Sequence, residues 1–218
     1  LYQEKTDTEH PDSFLFDGQW EPATMVEEVI QVKGKEPAHI VVTSSRNGPI
    51  VNDILPSVAQ SSGPVSLRWL GTEYCGWFTS LLGMDRAQSA EEFTTSMDGW
   101  LVPTFSVVFA EENGDIGYQS AGQIPLRRSE ERGYRPGWDP DHQWTGLIPR
   151  DGMPGFQNPD RGWITSANNR AAPEDFPYPL YGRWSSGHRA RRIRQMFEAR
   201  ETLTQQDMVD MQQDVTSI

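Results

Sequence analysis

The chain has 218 residues and a mass of 24.7 kDa, enough for a core that removes roughly 70 % of the unfolded chain's surface from water. With 36 % hydrophobic, 23 % charged and 11 % aromatic residues, it is too aromatic for a disordered chain and too interrupted by charge for a membrane span, so a soluble globular class is expected. The net charge of −12 disfavours nucleic acid as a partner, because phosphate binding needs a positive footprint, and the single cysteine, Cys75, excludes an internal disulfide.

In chain order, the opening Leu1-Tyr2-Gln3-Glu4-Lys5 has no initiator methionine and no basic or apolar leader, and reads as a piece of something longer. Phe14–Phe16 and Gln19-Trp20 flank Asp17-Gly18, which predicts a tight hairpin. Met25–Val32, His39–Thr43 and Ile50-Val51 are β-branched runs bounded by Gly34-Lys35 and Asn47-Gly48-Pro49, so the first part is mostly β. Ser89-Ala90-Glu91-Glu92 fits a capping box and predicts a short helix to about Met97. Phe105–Ala110 and Ile116–Tyr118 read as two strands around a tight turn at Asn113-Gly114. From Gly133 to Pro159 the density of Pro, Gly, Trp and Asp predicts an ordered surface loop. Trp163–Ala167 reads as one buried strand ending in Asn168-Asn169. Arg189–Ala199 places Ile193, Met196 and Phe197 at helical spacing, and Thr204 with Asp207 opens a last helix that carries Met208 and Met211 inward.

The candidate chemistry is sparse. His10, His39, His142 and His188 stand far apart and none lies in a GxSxG or HExxH setting, so a serine–histidine triad is not supported. Without a CxxC pair or Cys/His cluster, no zinc site is expected. Asp139 and Asp141 fit a hard-cation pair or paired glycosidase carboxylates, yet loop-capping aspartates are commoner. The arginines from Arg189 to Arg194 usually make a solvated helix face. Asn168-Asn169 stays open between two readings. An asparagine at a strand end can aim its amide N–H at a developing oxyanion, and it can equally terminate the strand by adopting the left-handed conformation.

Several segments together carry a resemblance. Leu1–Lys5 with Phe14–Trp20, Glu27–Gly34, Asn47–Val51, Leu67-Arg68-Trp69, Phe109–Tyr118, Asn158-Pro159 with Gly162–Arg170, and Gly187–Ile193 are similar, in order and through nearly the whole chain, to segments of the β-chain of the penicillin acylases. These are amide hydrolases of the N-terminal-nucleophile class. The resemblance implies an α+β fold, with a β-rich subdomain over residues 1–80 and, over residues 81–218, part of an αββα sandwich. It implies hydrolysis of a linear amide between an acyl group and an amine, such as a β-lactam side chain or an acyl-homoserine lactone, through an acyl-enzyme, in antibiotic biosynthesis or degradation.

By the same resemblance, Asn168 matches the oxyanion-hole asparagine, Arg189 the arginine that supports it, and Phe105 an apolar residue of the acyl pocket. The nucleophilic serine, freed by autoproteolysis, lies upstream of Leu1 in family sequence, so the isolated piece is expected to be inactive. No cofactor is expected, and the main ligands of a structural calcium would also lie upstream. The expected partners are an acylated amine substrate and the rest of the β-chain and the α-chain of one precursor, in a periplasmic or secreted setting. Asn47 replaces the family's usual histidine before Gly48. Gly71-Thr72 is the one junction that could mimic an autocleavage site, and its surroundings favour a turn. The competing expectation is a non-catalytic β-rich module that binds carbohydrate or peptide through exposed aromatics such as Trp138 and Trp144.

Overall fold

The computed structural model describes residues 1–128 and 133–216. It is an α+β fold of two units, Leu1–Thr72 with Pro125–Leu147, and Glu73–Ile124 with Ile148–Ile218. The first unit begins with β1 (Tyr2–Gln3), β2 (Ser13–Phe16), β3 (Gln19–Pro22), β4 (Thr24–Ile30), β5 (Ala38–Ser45) and β6 (Gly48–Pro49), followed by α1 (Ser57–Gln60) and β7 (Val65–Ser66). Asp17 and Gly18 both take positive φ, 47° and 74°, so β2 and β3 are joined by the predicted two-residue hairpin turn, with a twist that suits the strands. The strands β4 and β5 pair from Thr24↔Ser44 to Ile30↔Ala38. Alternation puts Val26 and Ile40 on one face and Met25, Val29 and Val41 on the other, and all five are exposed.

The core of this unit lies where β7 pairs with β1 through Tyr2↔Ser66. Tyr2 is 1 % exposed, Val65 and Ser66 0 %. A buried carboxylate organises the polar side of that core. Glu4 Oε1 accepts from Ser45 Oγ at 2.6 Å, Ser66 Oγ at 2.6 Å and Asn47 Nδ2 at 3.0 Å, so β1, β7 and the turn after β5 converge on one oxygen. Gly48, which opens β6 directly after that turn, has φ 118°, and a Cβ there would stand 2.2 Å from the Leu67 carbonyl oxygen, which glycine alone avoids.

The second unit contributes α2 (Trp77–Arg86), α3 (Ala90–Thr95), β8 (Phe105–Ala110) and β9 (Ile116–Ala121). Ser89 caps α3 as predicted, its Oγ accepting from the Glu92 amide at 3.1 Å, but Glu92 reaches back to the Gln88 amide, one residue before the cap. The β8–β9 hairpin forms, although not with Asn113 in the left-handed region. Glu111 N–H donates to the Asp115 carbonyl at 2.8 Å, and of the three residues between them only Gly114 has positive φ, 99°. That pattern is a turn closed by one left-handed glycine.

The chain then returns to the first unit as β10 (Pro125–Arg127), β11 (Arg135–Pro136) and β12 (Trp144–Leu147), and β13 (Gly155–Gln157) resumes the second. This corrects the reading of residues 133–159 as a loop alone. Its strands are two to four residues long. They pair with distant segments: β11 parallel to β1, β12 with β10, and β13 with β9. Local sequence carries no sign of such partners.

Trp163–Ala167 is corrected as well. No strand forms there; the segment is held by side chains instead. Trp163 packs against Phe197 with ring centres 5.2 Å apart, beneath the Arg161 guanidinium at 4.7 Å. The chain closes with α4 (His188–Glu198) and α5 (Gln205–Gln213). Thr204 and Asp207 form the predicted capping box. Met211 is half-buried, while Met208, expected inward, is exposed.

Candidate functional site

Ala167, Asn168 and Asn169 lie in an irregular stretch beside the start of α4, which places Arg189 in that helix's first turn. Asn168 is left-handed, φ 59°, a conformation that asparagine tolerates better than most residues. Its backbone carbonyl accepts from the Ser185 amide at 2.8 Å. Its side-chain Oδ1 accepts from Arg189 Nη2 at 2.7 Å, and the same Nη2 reaches the Ala167 carbonyl at 3.3 Å. Asn169 closes the group, its Oδ1 accepting from the Ala167 amide at 3.0 Å.

The chemistry of this arrangement follows from the donor inventory. A guanidinium only donates, so the carboxamide atom facing Arg189 is the oxygen, and the carboxamide nitrogen faces the other way. Among the described residues, Asn168 Nδ2 donates to no protein acceptor, and the side chain is exposed. A charge-assisted bond on Oδ1 pulls electron density from the amide, which makes its N–H a stronger donor for a negative oxygen. Asn168 therefore occupies the left-handed turn conformation and carries an exposed amide donor that has no protein acceptor among the described residues.

Phe105 is the first residue of β8, half exposed, with its ring edge-on to Trp100 at 5.5 Å. Among the described residues no hydrogen bond or ring contact joins it to Asn168 or Arg189. The histidines do not converge. His39 pairs with Glu27 across β4 and β5 at 2.9 Å, His10 stacks on Trp20, and His188 is the exposed first residue of α4. Asp139 caps a 3-10 turn through the Asp141 amide at 2.9 Å, and Asp141 pairs with Arg128, so both aspartates act locally. Trp138 and Trp144 are half-buried with cations over their rings, Lys5 at 5.5 Å and Arg68 at 4.6 Å. They do not form a bare aromatic platform. Thr72 donates its hydroxyl to the Trp69 carbonyl at 2.9 Å within a 3-10 turn, so Gly71-Thr72 is a turn. Among the described residues no group of His, Cys, Asp or Glu is placed to hold a metal ion, and no helix is long and apolar enough to cross a membrane.

Sequence reasoning singled out the Asn168-Asn169 pair without separating the part of Asn169 from that of Asn168, and it assigned no role to Ser185. The second asparagine of the pair was a visible signal; the Ser185 contact is a backbone bond with no side-chain signature.

Comparison with known proteins places the chain in a family. The family model described as penicillin amidase matches residues 1–218. An acyl-homoserine lactone acylase, QuiP, of Pseudomonas aeruginosa is 31 % identical over 94 % of the chain, which covers 25 % of that protein. Penicillin G acylase of Escherichia coli is 28 % identical over 94 % of the chain, covering 24 % of that protein. The chain thus spans about a quarter of the length of these curated relatives. Among solved structures, a thermostable penicillin G acylase from Alcaligenes faecalis superposes with a TM-score of 0.78 over 97 % of this chain and 38 % of that one, at 22 % identity, and so shares the fold. With its whole length matched by the family model, the chain belongs to the penicillin amidase family.

Proposed function

We propose that these residues are the oxyanion-stabilising part of an acylase that cleaves the linear amide between an acyl group and an amine through an acyl-enzyme. The observation that carries the reading is the 2.7 Å bond from Arg189 Nη2 to Asn168 Oδ1. It fixes the carboxamide so that Nδ2 can donate to the carbonyl oxygen as that oxygen becomes negative. In this reading Asn168 is the catalytic residue, and Arg189 is a positioning residue acting through it. Phe105, exposed on β8, lines the acyl pocket.

The nucleophile is a serine at an N-terminus freed by autoproteolysis, outside the 218 residues, with its own α-amino group as base. An α-amine has an ordinary pKa near 8, so a useful fraction is free base at neutral pH. No histidine is then required, which agrees with the dispersed histidines. The remainder of the β-chain and the α-chain of the same precursor complete the site and exclude water from it, and a structural calcium would be held by their ligands. The substrate class is an acylated amine of the β-lactam or acyl-homoserine lactone kind, named for the relatives described above.

The test is hydrolysis of such an amide by a polypeptide that carries this segment together with the nucleophile. Asn168→Ala is expected to lower kcat by about 10²–10³-fold while the protein stays folded. Arg189→Lys is expected to lower it less, since the charge survives and the forked geometry does not. Undiminished turnover by Asn168→Ala removes the assigned role.

A further inference from the structure

Resting on that reading of Asn168, we propose that Asn169 is a positioning residue for the oxyanion donor. The residue before Asn168 is clamped at both of its backbone polar groups, which lie in the two successive peptide units that flank the Ala167 Cα. The Ala167 N–H is taken by Asn169 Oδ1 at 3.0 Å, and the Ala167 carbonyl is taken by Arg189 Nη2 at 3.3 Å. The unit after the Asn168 Cα is clamped by the Ser185 amide at 2.8 Å. Asn169 Nδ2 adds a bond to the Arg170 carbonyl at 3.2 Å, which anchors the side chain that holds Ala167. Ala167 is buried and Asn169 half-buried, whereas Asn168 between them is exposed.

Asn168 occupies a left-handed conformation, φ 59°, that an L-residue leaves readily unless its neighbours are fixed. No sheet ladder fixes them here, because residues 163–169 belong to no strand. The donor's direction therefore depends on side-chain bonds. Arg189 holds the Asn168 carboxamide itself, and Asn169 holds the backbone from which that carboxamide springs. Loss of the Asn169 acceptor frees the Ser166–Ala167 peptide unit to rotate, which moves the Ala167 Cα and turns the Asn168 side chain away from the reacting oxygen, without removing any group that touches substrate.

The acceptor is the part that matters, so the two informative variants differ in it. Asn169→Ala removes Oδ1, while Asn169→Asp keeps an oxygen for the Ala167 amide. In the polypeptide that supplies the nucleophile, Asn169→Ala is expected to lower kcat about a hundredfold with KM unchanged, the effect of a small misplacement of a catalytic group. Asn169→Asp is expected to recover most of that loss. Independently of turnover, the intraresidue amide-to-Hα Overhauser contact of residue 168, strong for a left-handed residue, should weaken in Asn169→Ala and persist in Asn169→Asp. The inference is overturned if Asn168→Ala abolishes turnover while Asn169→Ala leaves it intact, or if the Ala and Asp variants are equally impaired. Should Asn168→Ala be silent, the catalytic reading fails, and the Overhauser contact alone decides whether Asn169 sets the conformation of residue 168.

Discussion

Asn47 occupies a position where the family resemblance leads one to expect histidine, and its surroundings explain what asparagine does there. It is 2 % exposed and donates through Nδ2 to Glu4 Oε1 at 3.0 Å and to the Gly137 carbonyl at 3.4 Å. Its role is to tie the turn after β5 to the buried carboxylate. Removing one donor from a buried charged acceptor costs about 1–3 kcal/mol. Asn47→Ala is therefore expected to lower the urea midpoint by that amount of stability with the slope of the transition unchanged. A midpoint equal to the wild type would show that the Glu4 cluster does not hold this turn. At the same scale, the residues alone leave Asn168 open between an oxyanion donor and a turn former, and only the family resemblance joins Arg189 to it. Nothing in the residues alone pairs an exposed asparagine with a guanidinium twenty-one positions away, and the asparagine's left-handed φ suits an ordinary turn equally well.

Between elements, the pairing of α4 with α5 shows the clearest electrostatics. Arg192 donates through Nε and Nη2 to the two oxygens of Asp214, at 3.1 and 2.7 Å, and Arg200 pairs with Asp207 at 3.0 Å. The Arg192 hydrogen bonds hold the Asp214 carboxyl down at about 2, from an ordinary 3.8. Thr204, by its hydroxyl and then its amide, lowers Asp207 in the same direction. A carboxyl whose folded pKa lies below its unfolded value contributes stability that is complete above the unfolded pKa and is lost as pH falls through the folded one. Asp214→Asn is thus expected to melt below the wild type at pH 6. The gap should close as pH falls from the unfolded value of 3.8 toward about 2. A gap that persists unchanged at the acid end, or is absent at pH 6, contradicts the assignment.

Elements with local signals were readable in advance: the Asp17-Gly18 hairpin, the Ser89 cap and the Thr204 box each rest on side-chain or glycine chemistry within four residues. Helix α2 was not, because Gly76 caps it without a side-chain bond. The short strands β11, β12 and β13 owe their existence to partners far along the chain, and Trp163–Ala167 has strand-like residues but no partner at all among the described strands. Pattern alone cannot distinguish a ladder from an extended segment held by aromatic packing.

At the scale of the whole molecule, the chain is α+β and spans about a quarter of its curated relatives. Its β4–β5 hairpin leaves Met25, Val26, Val29, Ile40 and Val41 exposed on two faces. Exposed apolar strands of this extent associate in water unless something covers them, and in the proposed function the rest of the precursor does so. The isolated 218-residue chain is therefore expected to bind a hydrophobic dye and to self-associate with rising concentration in sedimentation. Val41→Lys should weaken both. Equal behaviour of the variant and the wild type would place the sticky surface elsewhere.

The central claim is that Asn168 acts through its amide donor, with Oδ1 committed to Arg189. Its most direct test is Asn168→Asp in the polypeptide that includes the nucleophile, because aspartate keeps an oxygen for the guanidinium and replaces the donating NH₂ with a negative oxygen. The account predicts a loss in kcat of at least about 10²-fold, with the melting temperature and KM unchanged; wild-type turnover from that variant would contradict it.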